Sequence, residues 1–143
     1  MLFTKNNAME LISEKFPEFK PIWNSYRSEY KVSDEEFFGI TPFWGDTSFF
    51  GGMAKFSDYV SGLLVKNESN PSQIKEIFSY MEYLLVNGDE EVKTAVTTCF
   101  LENILNVTPG KINPKRFVEY LGPESREYCR AWDQFTGVQT DGL

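Results

Sequence analysis

The sequence predicts an all-α protein: an irregular bundle of about six or seven antiparallel helices, in a single domain that spans residues 1–143. Two observations support this fold class. Apolar residues recur at helical spacing along nearly the whole chain, and short segments rich in asparagine, proline and glycine separate the helical stretches. A short stack of helix hairpins is the alternative architecture. No repeat of fixed period is visible, which favours the irregular bundle.

The first two predicted helices have clear starts and clear apolar faces. The first follows a cap at Asn6 or Asn7 and ends at Pro17. The second carries one wide aromatic face, with Pro21 in its first turn, where the missing N–H is tolerated. The two apolar faces consist of Met9, Ile12 and Phe16 in the first helix, and of Phe19, Ile22, Trp23, Tyr26 and Tyr30 in the second.

A third helix is predicted from about Ser48 to about Lys66 on the spacing of its apolar residues. Three glycines interrupt this pattern and indicate either close helix packing or a late start of the helix. The glycines are Gly51, Gly52 and Gly62.

The second half of the chain predicts a helical hairpin followed by two shorter helices. Asn70–Pro71 is a cap with proline at the first helical position, and this helix stops at Asn87–Gly88. Asp89 caps the next helix, so the two helices form a hairpin with a very short turn. Later breaks at Thr108–Gly110 and Gly122–Pro123 leave a helix from Asn113–Pro114 through Leu121 and a last helix that ends at Gly137.

Charge limits the partners that we expect. The chain has a formal charge of −7, and residues 32–110 alone hold twelve acidic and four basic side chains, which gives −8. A negative surface repels phosphate backbones and anionic lipids but attracts basic proteins. No signal-type apolar run follows Met1 and no membrane-spanning run occurs, so we expect a cytoplasmic protein that binds neither nucleic acid nor membranes directly.

The chemistry of the side chains argues against an enzyme. The chain contains no histidine, which removes the commonest general base, histidine-based nucleophile pairs and histidine-bearing zinc sites. Asp89, Glu90 and Glu91 stand at a helix start, where carboxylates complement the helix dipole. Cys99 and Cys129 lie in helical apolar patterns and are predicted to be buried free thiols. We therefore predict no catalytic residues, no metal and no cofactor.

The stretch from Ser33 to Phe56 is the candidate partner-binding region. Ser33–Glu36 has the form of a capping box, but Gly39 and Pro42 follow too soon for a full helix, so we expect one short turn and then a loop. Aromatic residues supply rigid contact area and acids steer a basic partner. The predicted contact residues are Asp34, Glu35, Glu36, Phe43, Trp44 and Asp46.

The aromatic residues of this region also permit a structural interpretation, in which they fill the core beneath a loop. The two interpretations are compatible if some rings point inward and others outward. We expect Phe37, Phe49 and Phe50 to point inward, and Phe43 or Trp44 to point outward.

The segment Leu121–Asp133, which reads LGPESREYCRAWD, together with Phe43–Gly45, resembles small helical immunity proteins of contact-dependent growth inhibition systems. The resemblance extends over most of residues 17–143. It implies a protein that binds and neutralises a cognate toxin domain, often a basic nuclease, and it assigns no individual residue. Two alternatives remain: a regulatory adaptor or scaffold that binds a basic protein, and a helical enzyme that uses carboxylates. Within the segment itself, Arg126 is a candidate partner for Asp133.

Overall fold

Seven α-helices, one π-helical segment and two 3-10 turns make up the part of the chain that the structure describes. The computed structural model describes residues 2–37, 48–66 and 70–143, and of residues 30–37 and 48 it describes the backbone alone. Within these ranges the only β-type pairing is an isolated bridge between Phe3 and Gly88, and the predicted all-α fold is confirmed. The elements are α1 (Ala8–Lys15), α2 (Lys20–Phe37), α3 (Ser48–Val65), α4 (Pro71–Asn87), α5 (Glu90–Thr94), a π segment (Ala95–Leu101), α6 (Glu102–Val107), 3-10 turns at Pro114–Arg116 and Val118–Tyr120, and α7 (Pro123–Thr136).

The helices α4 and α5 begin where the sequence predicts, because side chains satisfy their first backbone N–H groups. Asn70 Oδ1 accepts a hydrogen bond from Ser72 N at 2.9 Å. Asp89 Oδ1 accepts one from Val92 N at 2.9 Å. Only Gly88 and Asp89 separate the two helices, so the predicted hairpin with a very short turn is confirmed.

Five phenylalanine rings run in contact through the core and join elements that are far apart in sequence. Neighbouring ring centroids lie 5.0, 5.7, 5.5 and 5.5 Å apart along the series. Burying such a ring stabilises the fold by about 1.5–3 kcal/mol relative to leaving it exposed. In order, the rings are those of Phe19, Phe56, Phe100, Phe78 and Phe117, and they belong to one hydrophobic cluster with buried side chains from α1 to α7.

The helix that follows Asp89 is α-helical at both ends and π-helical in the middle, which the sequence pattern did not predict. Glu102 N donates to the carbonyl of Thr97, five residues earlier. The segment packs along α3, where Ser57 Oγ donates to the carbonyl of Phe100 at 3.3 Å. Phe100 is fully buried, whereas Cys99, predicted to be buried, is only partly so. The phenylalanine, and not the neighbouring thiol, therefore fills this core position.

Two glycines lie inside α3 where it passes close to α2. A Cβ atom added at Gly52 would lie 2.5 Å from Trp23 Cζ3, and one added at Gly51 would overlap the hydroxyl of Tyr26. Of the two interpretations of these glycines, close packing is therefore confirmed. A Cβ added at Gly62 would have no atom within 4 Å, so this third glycine has no such role.

The connection from α6 to α7 differs from its prediction. The predicted helix through Leu121 is wrong, because two 3-10 turns on either side of Phe117 take its place. Phe117 has φ −132°, outside helical geometry, and its buried ring packs on Phe78 with centroids 5.5 Å apart. Insertion of this ring into the core is the physical reason that the helix is interrupted.

The last helix ends as predicted, but its arginine has other partners. α7 stops at Gly137, which adopts φ +78°, a conformation that favours glycine. Arg126 does not pair with Asp133. It donates to the carbonyl of Val118 at 2.7 Å and to that of Gly142 at 3.0 Å.

Candidate partner-binding surface

The residues that the sequence predicts as partner contacts begin in α2. The three acids of the set belong to this helix, which runs without a break to Phe37, and their side chains lie outside the described part of the chain. The predicted separate turn at Ser33–Glu36 is wrong, because these residues continue α2 and start no new element. The other three residues lie outside the described ranges altogether. The full set, Asp34, Glu35, Glu36, Phe43, Trp44 and Asp46, stays a prediction as a contact surface.

The course of α2 changes the physical meaning of its acids. At a helix start, carboxylates complement the positive end of the helix dipole. Asp34, Glu35 and Glu36 instead continue a helix that begins at Lys20. The stabilisation that a helix start gives to carboxylates is therefore not available to these three acids.

Two aromatic residues of the same region belong to the core. Phe49 is 1% exposed, and Phe50 is partly buried against the hydrophobic cluster. The two ring centroids are 5.3 Å apart. The prediction that both rings point inward is confirmed. The side chain of Phe37, predicted to point inward as well, lies outside the described part of the chain.

A second surface, which the sequence analysis missed, combines exposed apolar side chains from the N-terminal segment and α4. Leu2, Tyr83 and Val86 are 63%, 49% and 57% exposed, and we call them the Tyr83 surface. The ring of Phe3, which is buried, meets that of Tyr83 edge-on at a centroid distance of 5.3 Å. A signal was present in the sequence, because Tyr83 and Val86 fall outside the apolar stripe that buries α4.

Backbone hydrogen bonds hold the N-terminal segment against the α4–α5 turn. Asp89 N donates to the carbonyl of Phe3 at 2.9 Å. Asn7, which the sequence predicted as a possible cap of α1, instead uses its side chain to accept from Thr4 N at 2.9 Å and to donate to the carbonyl of Leu2 at 3.2 Å. Leu2 is thus exposed on an ordered backbone.

Two ion pairs involve the acids at the start of α5. Glu91 pairs with Lys5 at 3.4 Å, and Glu90, which is 94% exposed at its side chain, lies 3.8 Å from Lys93. The predicted dipole role of this acidic triplet is supported by its first member, since Asp89 caps α5 through its side chain.

Other partly buried acids perform structural tasks. Glu82 of α4 accepts from the backbone N–H of Glu124 at 2.8 Å and of Ser125 at 2.9 Å, and from Ser125 Oγ at 2.6 Å. It caps α7 in place of Gly122, which has no side chain to do so. Glu10 accepts from Trp23 Nε1 at 3.2 Å. These carboxylates are engaged by N–H and O–H donors.

Two findings concern the chemistry of the described side chains. The described residues contain no group of three or more Asp, Glu, Cys or His side chains that could hold a metal ion. Burial raises the pKa of Cys129 to about 12, so its thiol stays protonated at neutral pH and is a weak nucleophile.

None of the helices in the described ranges is long and apolar enough to cross a membrane.

Comparison with known proteins identifies a family and no relative of known activity. No curated protein and no solved structure matches the chain. A family described as a domain of unknown function, DUF7674, matches residues 9–137, from α1 to the glycine that ends α7. The chain therefore belongs to the DUF7674 family.

Proposed function

We propose that the protein is a non-enzymatic, cytoplasmic immunity protein that neutralises a basic toxin domain by stoichiometric binding. The observation that carries the proposal is that Asp34, Glu35 and Glu36 continue α2 and start no new helix. Carboxylates stabilise a helix at its start, so the helix dipole does not explain an acidic run that lies further along a helix. Attraction of a basic partner does.

The surrounding charge supports the same function. Residues 32–110 contain twelve acidic and four basic side chains, a formal charge of −8. Such a field accelerates association with a basic protein and acts over a Debye length of about 8–10 Å at physiological salt. Phe43 and Trp44 follow the acids in sequence and supply the aromatic anchors that interface energy usually depends on.

Direct binding to a toxin domain encoded by a neighbouring gene, if sequencing of the locus finds one, tests the proposal. We expect a one-to-one complex in size-exclusion chromatography and calorimetry, with an association rate that falls steeply as salt rises. Absence of a complex at low salt would refute the proposal. An association rate that is independent of salt would refute the steering role of the acids.

Charge reversal locates the steering surface. Changing Glu35→Lys and Glu36→Lys together should slow association and leave dissociation nearly unchanged. The double change Glu90→Lys and Glu91→Lys is the matched control, because it alters the net charge equally at another helix. Equal slowing by both pairs would assign steering to the overall charge and would contradict a specific role for the end of α2.

Truncation of one aromatic residue locates the binding energy. Trp44→Ala should weaken binding by at least ~2 kcal/mol and leave thermal unfolding nearly unchanged, as for a buried interface anchor. If Trp44 instead fills the core, the variant loses ~3–5 kcal/mol of stability and each folded molecule keeps its affinity. Tyr83→Ala is the control on the Tyr83 surface. Loss of affinity with Tyr83→Ala alone would place the contact there and overturn the predicted site.

A further inference from the structure

Residues Val138–Leu143 fold back along α7, and we call them the strap. Gly137 reverses the chain with φ +78°. Thr140 then donates to Asp133 twice, from its backbone N at 2.7 Å and from Oγ1 at 3.0 Å. Arg126 Nη1 donates to the carbonyl of Gly142 at 3.0 Å. Two side chains of α7 therefore hold the strap, and they lie seven residues apart on one helix face.

The strap forms a thin layer on the bundle. Val138 is 41% exposed, and Gly142 lies so close to Val118 that an added Cβ would be 3.1 Å from Val118 Cγ1. Leu143 packs on the edge of the hydrophobic cluster. The family match ends at residue 137, so the strap lies beyond the matched part of the chain. Three hydrogen bonds to α7 and the contacts of Gly142 and Leu143 hold the strap, and segments held by a small number of local contacts open at lower free energy than the core.

The strap also forms one wall of a cleft with a volume of about 500 Å³. Asp141 and Gly142 lie on the strap side. The remaining lining residues are Lys115, Val118, Glu119 and Arg126. Two cations and two carboxylates thus balance while the strap is in place.

We infer that the strap is a latch that opens without unfolding of the helical bundle and changes the character of this cleft. Opening removes Asp141 and leaves two cations against one carboxylate. It also uncovers Val118, which is 3% exposed beneath Gly142. Arg126 keeps its place in the open state, because its Nη2 donates independently to the carbonyl of Val118 at 2.7 Å. The open cleft presents an apolar side chain beside a positioned guanidinium.

Amide hydrogen exchange, measured residue by residue in solution, tests the latch. In the unmodified protein the Thr140 amide should exchange faster than the core amides of α4. Asp133→Ala should accelerate Thr140 exchange about tenfold or more, because it removes both hydrogen bonds to a charged acceptor, and should leave α4 unchanged. Thr140→Val removes only the hydroxyl bond and should accelerate exchange about threefold.

Gln139→Ala is the matched control, since the exposed, uncharged side chain of Gln139 makes no hydrogen bond among the described residues and does not line the cleft. It should change Thr140 exchange by less than about twofold once the intrinsic rate is corrected. Equal exchange of Thr140 and the α4 core amides in the unmodified protein would overturn the inference. Equal acceleration of both by Asp133→Ala would also overturn it, because the strap would then belong to the cooperative unit of the bundle.

Discussion

The close approach of α2 and α3 leads to a stability prediction for Gly52→Ala. A methyl group at this position would meet Trp23 Cζ3 at 2.5 Å and Cε3 at 3.2 Å, and Met9 Cγ at 3.3 Å. Trp23 is 5% exposed, and its Nε1 donates to Glu10 at 3.2 Å. The indole ring therefore has no open space to move into and would weaken a hydrogen bond if it shifted.

The magnitude follows from two opposing effects. Overpacking of a well-filled core costs about 1–3 kcal/mol. Alanine is favoured over glycine inside a helix by about 1 kcal/mol, and weakening the tryptophan hydrogen bond costs about 1 kcal/mol. The last two contributions cancel, so we expect Gly52→Ala to lower the free energy of unfolding by about 1–3 kcal/mol.

Gly62→Ala is the matched control in the same helix. Because no atom lies within 4 Å of its added Cβ, only the helix preference acts, and we expect stabilisation by about 0.5–1 kcal/mol. Urea unfolding followed by circular dichroism gives both values, provided that the slopes of the two transitions agree. If Gly52→Ala proves as stable as Gly62→Ala, the inferred contact between α2 and α3 is wrong.

Two further stability predictions concern a helix cap and alkaline pH. Asp89→Ala should lower the free energy of unfolding by about 1 kcal/mol, because the variant loses the side-chain cap of α5. Glu90→Ala, at an exposed neighbouring residue, is the control and should change the free energy of unfolding by less than about 0.5 kcal/mol. An equal loss in both variants would contradict the role of Asp89 as a cap. Burial raises the pKa of Cys129 from 9.0 to about 12, and burial with a hydrogen bond to Glu18 raises that of Tyr59 from 10.0 to about 12. The folded state thus holds both protons more tightly, so this stabilisation is complete below pH 9 and is lost as the pH rises toward 12. The thermal unfolding temperature should therefore fall between pH 8 and pH 11. In Cys129→Ala this fall should be smaller. An unchanged pH dependence of unfolding in that variant would exclude Cys129 as a cause.

The sequence by itself determined the fold class and most helix ends, because these depend on signals that act within about one turn. The Asn70–Pro71 start, the Asp89 cap and the Gly137 stop each satisfy backbone groups two to four residues away, or supply the backbone conformation needed there. The apolar period of α4 likewise identified its buried side. The sequence also identified Phe49 and Phe50 as core residues, although it left the role of the neighbouring aromatics open.

Local patterns misplaced two boundaries. Ser33–Glu36 matches the pattern of a helix start, but α2 continues through it to Phe37. The pattern after Asn113 favours a helix, but the core takes in the ring of Phe117 and breaks it. Propensity is worth tenths of a kcal/mol per residue, whereas burial of one aromatic ring is worth about 1.5–3 kcal/mol, so at Phe117 packing prevails.

Only the tertiary structure decided the contacts that join distant residues. Ser57 meets the carbonyl of Phe100, and Glu82 caps the helix that contains Ser125, in both cases across 43 residues. No spacing rule relates such pairs, because their distance in space depends on how complete helices pack. For the same reason the strap became visible only in the fold. The acids of α2 were evident in the sequence, and the structure decided that they continue a helix and do not start one.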